Sequence, residues 1–212
     1  MARPLALVGI AGSLLMLIDS LILGAHGLPG PKAWEEGVRA AAELSVVSTF
    51  IGGTLGAFGA VLAMLGLVPL FQVLQPAGRP LAWIAACGLA GWLALYGVHH
   101  GMRPLVAHLL RVEPLALDSM MFARALAYLN VQRSMGGVGL FAGSLFFFFT
   151  TLFRRTELPR WSVVTTPLFW VPGLFVARSL PAPLAGPYLA GWLDLICLPL
   201  FAVLLISPRR RS

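Results

Sequence analysis

Six long apolar segments, 5–23, 50–74, 81–100, 136–153, 162–179 and 188–206, constrain this chain more than any other feature. Each approaches the roughly 20 residues that a helix needs to cross a bilayer. The chain is 58% hydrophobic and only 11% charged, whereas a soluble domain carries about 25% charged residues. A water-soluble core would have little room for so much apolar sequence. The expected fold is therefore all-α. It is a polytopic membrane helix bundle of about six transmembrane helices with one or two interfacial amphipathic helices, in one integral membrane domain over residues 1–212.

The breaks between segments are plain. Gln75-Pro76-Ala77-Gly78-Arg79-Pro80 reads as a turn, and 180–187 holds three prolines and a glycine, which end helices. The stretches 24–49 and 103–135 mix charges with apolar residues. Each is expected to lie on the membrane as an amphipathic helix or to extend the next span. The run after Arg3 resembles a secretory signal. Asp19 interrupts it before a cleavage site and Leu21, Ile22 and Leu23 resume it, so an uncleaved first helix is expected.

Net charge is +7, from 14 Arg and one Lys set against eight acids. The arginines stand at the ends of apolar runs, where topology signals and headgroup contacts belong, so no nucleic-acid partner is expected. Six crossings put both termini on one side. That side collects Arg3, Arg79, Arg154, Arg155, Arg160, Arg209, Arg210 and Arg211 on short segments, with Glu157 as its acid. Both termini are expected to be cytoplasmic. Cys87 and Cys197 lie inside apolar segments and read as small core residues.

Asp19 and Asp194 are the informative exceptions. An ionisable group at bilayer depth costs about 2.5–3.5 kcal/mol on insertion scales and normally faces a partner or a watery cavity. On the expected topology both fall in the extracytoplasmic half, with Tyr96, His99 and His100 at the outer end of the third span and Arg178 at that of the fifth. Trp92, Tyr96 and one histidine share a helix face. Asp19, His99, His100 and Asp194 are the candidate acid/base groups. Trp92, Tyr96, Arg178 and Trp192 are candidate ligand-binding residues. An ion pair of either aspartate with Arg178 or a histidine, serving only to lock helices, is the plainer alternative. No HxxxH, HExxH or G-x-S-x-G occurs, and no metal or other cofactor is expected.

Gly52, Gly56 and Ala60 form a ridge of small residues suited to close helix packing, as do Gly97 and Gly101. The heptapeptide at 89–95 recurs with one change at 189–195, as a three-plus-three inverted repeat would require. So common are Ala and Leu here that chance is the better explanation of the echo.

Several of these features occur together in one known family. They are a glycine-containing first helix ending at Asp19, Tyr96 with His99-His100, Leu158-Pro159-Arg160-Trp161 with Pro167-Leu168, and the proline-rich 180–187 leading into Gly191-Trp192. In these the chain resembles an uncharacterised family of small bacterial polytopic membrane proteins, a domain of unknown function. The resemblance implies a multi-pass bacterial membrane protein and carries no activity or site residue with it; the bacterial inner membrane is the expected location. Three functions stay open: a binder or carrier of a lipid-like or small amphipathic ligand, an intramembrane acid/base enzyme acting on a lipid or isoprenoid-like substrate, and a structural or assembly subunit. The partners expected are the lipid bilayer and such a ligand. Oligomeric state is not legible.

Overall fold

The computed structural model describes residues 2–24, 39–112 and 120–206. Among them every regular element is helical. In chain order these are α1 (Ala2–Gly24), α2 (Val46–Gly66), α3 (Val68–Leu74), α4 (Arg79–Val112) and α5 (Met120–Phe153). A 3-10 segment (Arg160–Thr165), α6 (Pro167–Trp170) and a second 3-10 segment (Val171–Ser179) follow. The described chain closes with α7 (Ala182–Leu195) and α8 (Leu198–Ile206).

Four helical stretches are long and apolar enough to cross a membrane: Arg3–Leu23, Val46–Ala77, Arg79–Val112 and Ala123–Phe153. They correspond to the first four expected spans. The second bends at Leu67, where Pro69 has no N–H for the carbonyl four residues back. The last two expected spans are not long helices. Over 162–179, Pro167, Pro172 and Gly173 break the chain into short pieces, and Ser162, Thr165 and Thr166 turn their hydroxyls onto nearby backbone carbonyls. Over 188–206 the helix divides between α7 and α8 at Ile196 and Cys197, three and two residues ahead of Pro199. Gly191–Ile206 is apolar but shorter than a spanning helix.

The expected amphipathic stretch 103–135 resolves differently at its two ends. Residues 103–112 prolong α4 through Pro104, and 120–135 open α5 without a break at Gly136-Gly137. Each helix has 34 residues, about 51 Å at 1.5 Å per residue, so each outruns a hydrocarbon core of about 30 Å. Most of 24–49 lies outside the described residues, as do Glu113, Asp118 and the three C-terminal arginines. Residues 39–43 form a short helix. Arg111 of α4 bonds the chain that follows it, donating to the Ala42 and Leu44 carbonyls (3.0 and 2.6 Å) and to the Thr49 hydroxyl (3.3 Å). Ser45 caps α2 by accepting from the Ser48 N–H.

Close approaches at glycine set the helix register. A Cβ on Gly12 would strike the backbone of Gly59 and Ala63, and one on Gly66 would strike Gly9, so α1 and α2 run antiparallel in contact. A Cβ on Gly97 would meet the Ala60 side chain at 2.7 Å, and one on Gly88 the Gly143 backbone at 2.7 Å. Those contacts fix α2 against α4 and α4 against α5, again antiparallel. The main core joins all these helices with α7 and α8, through Met16, Leu89, Phe147, Ile196 and Phe201. Cys197 is buried in that core, as expected, whereas Cys87 is exposed on the outer face of α4 and so is not a core residue.

Candidate functional site

Asp19 stands five residues before the end of α1 and points at α2. The α2 residue it meets is Gly56. A Cβ there would collide with the Asp19 carboxylate and come within 2.7 Å of His100 Nδ1. The absent side chain is what lets an aspartate on α1 reach across α2 to a histidine on α4. His100 Nδ1 and Asp19 Oδ2 are directly paired. The other ring nitrogen, Nε2, faces Asp194 Oδ1 of α7 at 3.6 Å. One imidazole thus lies between two carboxylates from three helices. Relative exposures are 0% for Asp19, 1% for His100 and 1% for Asp194.

This line of groups is only partly satisfied. Among the described residues, Asp19 Oδ1, His100 Nε2 and both oxygens of Asp194 make no hydrogen bond. Buried polar atoms normally do, and an ion pair at 3.6 Å is too long to count as one. Aromatic rings form one wall. Tyr96, one turn before His100, presents its edge contact at 4.5 Å between ring centroids, and Trp92, a turn earlier, stacks on Tyr96 at 5.7 Å. The spacing 92, 96, 100 keeps all three on one stripe of α4. The Tyr96 phenol also lies within electrostatic reach of Asp194, Arg103 and Asp19.

The two adjacent histidines part company because successive residues point about 100° apart. His99 is buried and lies parallel to Tyr96 at 6.2 Å. Its charged neighbours are Arg103 and Arg133 rather than the aspartates. Trp192 also points elsewhere. It stacks on Tyr188 at 5.0 Å and donates its indole N–H to the Trp170 carbonyl at 2.6 Å. A Cβ on Gly173 would overlap its ring. It braces the irregular segment that follows α6. The Arg178 side chain lies outside the described residues, and with it the ion pair expected between Arg178 and an aspartate.

Sequence reasoning missed three residues of the site. Gly56 was legible only as part of a packing ridge. Arg103, 7% exposed, is a buried cation one turn beyond His99 on α4. Pro104 follows His100 by four residues and seats its ring against Gly53. It has no N–H to give the His100 carbonyl, which therefore lacks the usual helical partner. An intramembrane histidine followed four residues later by proline is a signal that could have marked the spot.

The arrangement can hold a proton between two carboxylates, accept a donor at Asp194, or pin three helices together. Among the described residues no three His, Cys, Asp or Glu side chains are placed to hold a metal ion. A family model described as "Family of unknown function (DUF6796)" matches residues 1–209. Comparison with curated proteins and with solved structures gave no match.

Proposed function

The chain belongs to the DUF6796 family of unknown function, and because membership brings no activity with it we propose a function from the geometry alone. The protein is a multi-pass membrane protein that binds and carries a lipid-like or small amphipathic ligand, anchored by Asp19, His100 and Asp194. One observation carries this reading: Asp194 is buried with both oxygens lacking a hydrogen bond. A group that costly at membrane depth is kept for a task. The stripe of Trp92 and Tyr96 supplies apolar surface beside it, and a few polar groups beside apolar walls are the usual make-up of a ligand site.

The site lies towards the end of the bundle away from Arg3 and Arg79. At 1.5 Å per residue Asp19 is about 24 Å from Arg3 along α1, and His100 about 32 Å from Arg79 along α4. With the basic end in the cytoplasm, this is the outer half of a bacterial inner membrane. In this reading the two broken C-terminal segments complete six crossings, and both termini are cytoplasmic. An alkaline phosphatase fused after Ser212 should stay inactive, and an active fusion would refute that orientation.

Ligand binding is tested with a bromine-labelled single-chain amphiphile added to protein in nanodiscs. Saturable quenching of tryptophan fluorescence, lost in Asp194→Leu and His100→Leu, is expected. Quenching that never saturates and ignores both substitutions would sink the proposal. A second reading, an intramembrane acid/base enzyme, rests on the imidazole having a carboxylate at each ring nitrogen, as proton transfer requires. Asp194→Asn separates the two. An enzyme keeps binding and loses turnover, whereas a binder changes in affinity only.

A further inference from the structure

The long pair of His100 with Asp194 bears on which head group a ligand would carry. This inference rests on the binding reading above and deepens it. His100 Nε2 and Asp194 Oδ1 face each other at 3.6 Å, both buried and neither hydrogen-bonded. Two bare acceptors at that distance in a low-dielectric site would repel. One proton therefore lies between them, on the ring nitrogen or on the carboxyl. In both arrangements one partner is a donor and the other an acceptor.

We propose that the group recognised between His100 and Asp194 is a neutral hydroxyl, so that the ligand is an uncharged hydroxyl-bearing amphiphile such as a long-chain or isoprenoid alcohol. A hydroxyl both donates and accepts. It satisfies the pair wherever the proton resides, with its oxygen seated to one side of the line joining them. An ammonium only donates, so it fits only once that proton has left, and it must also be stripped of its water to enter a buried site. A carboxylate or phosphate only accepts, and it would bring a third negative group beside Asp19 and Asp194. Burial removes the water that would screen that repulsion. The apolar remainder of the ligand lies against the stripe of Trp92 and Tyr96.

The experiment uses the full chain in nanodiscs, with the brominated amphiphile as reporter. Dodecanol, dodecylamine, dodecanoate and dodecane compete with it. Dodecanol should displace the reporter at concentrations at least about tenfold lower than the other three, the scale of a hydrogen bond to a charged group. Asp194→Asn keeps an acceptor of the same shape and should hold that preference to within about threefold, whereas Asp194→Leu should no longer bind the reporter saturably.

Amine or acid displacing as well as alcohol overturns the hydroxyl assignment and leaves the binding reading standing. Dodecane matching dodecanol also overturns it, since the head group would then go unread. Failure of the reporter to bind the wild-type chain saturably brings down the binding reading and this inference with it. Should Asp194→Leu not fold, the wild-type series and Asp194→Asn still decide.

Discussion

The chain from Ala2 to Phe153 and the chain from Arg160 to Ile206 solve the same problem in different ways. The first part places its apolar residues on long helices whose backbone bonds are internal, and brings those helices together at glycine. The second part is apolar too, but its prolines divide it into short helices and 3-10 turns. There the pieces are tied by side chains to backbone: Trp192 to the Trp170 carbonyl, Trp170 to Val164, and Tyr188 to Gly173. Asp194 belongs to this second part, Asp19 and His100 to the first. The candidate site is the seam between a rigid half and a pieced one.

Removing the central imidazole should break the seam most severely. His100→Leu leaves two buried carboxylates facing one another. Loss of one member of a buried charge set costs about 3–5 kcal/mol, which should appear as a large drop in the thermal midpoint in detergent. Replacing Asp19, His100 and Asp194 together by apolar residues should recover that stability, because no charge is then left unpaired. Continued instability of the triple variant would show instead that the charged set itself holds the helices together. Next in size is Gly56→Ala. Its methyl group intrudes on the Asp19–His100 pair, and overpacking of this kind costs about 1–3 kcal/mol. The same measurement reads it, and an unchanged midpoint would mean that α2 yields more easily than its glycine contacts indicate.

Arg111→Met tests the outer edge of the rigid half. It removes the bonds to Ala42, Leu44 and Thr49, and about 1–2 kcal/mol should be lost, with faster amide exchange over 39–49. Trp192→Phe should have the smallest effect, about 1 kcal/mol for one hydrogen bond. Its signature is local: exchange should quicken over 170–179 and stay unchanged in α4. A uniform change along the chain would erase the contrast between the halves.

The rigid half was open to sequence reading because hydrophobic length needs no partner to be recognised. The broken half was harder. Pro167, Pro172 and Pro199 forecast interruptions, yet a proline tolerated within α4 at 104 shows that proline alone does not decide where a helix stops. Neighbouring helices decide, by satisfying or not satisfying the backbone groups that proline frees. Asp19 and Asp194 were visible as charges where lipid forbids them. That they flank His100, and that His99 turns towards Arg103 and Arg133, depends on the rotation of α4 about its axis. The small residues of α4 show which face packs but not what it meets. The angle is set where Gly53, Gly56 and Ala60 of α2 meet Pro104, His100 and Gly97 of α4.

Pro104 has a mechanical consequence. The α4 backbone carries no hydrogen bond from residue 104 to the His100 carbonyl, so bending there sacrifices none. The ten residues from 103 to 112 form a lever with its fulcrum at the site histidine, and Arg111 near the lever's tip grips the chain entering α2. A shift of the chain entering α2 would therefore be taken up at the turn that carries the imidazole.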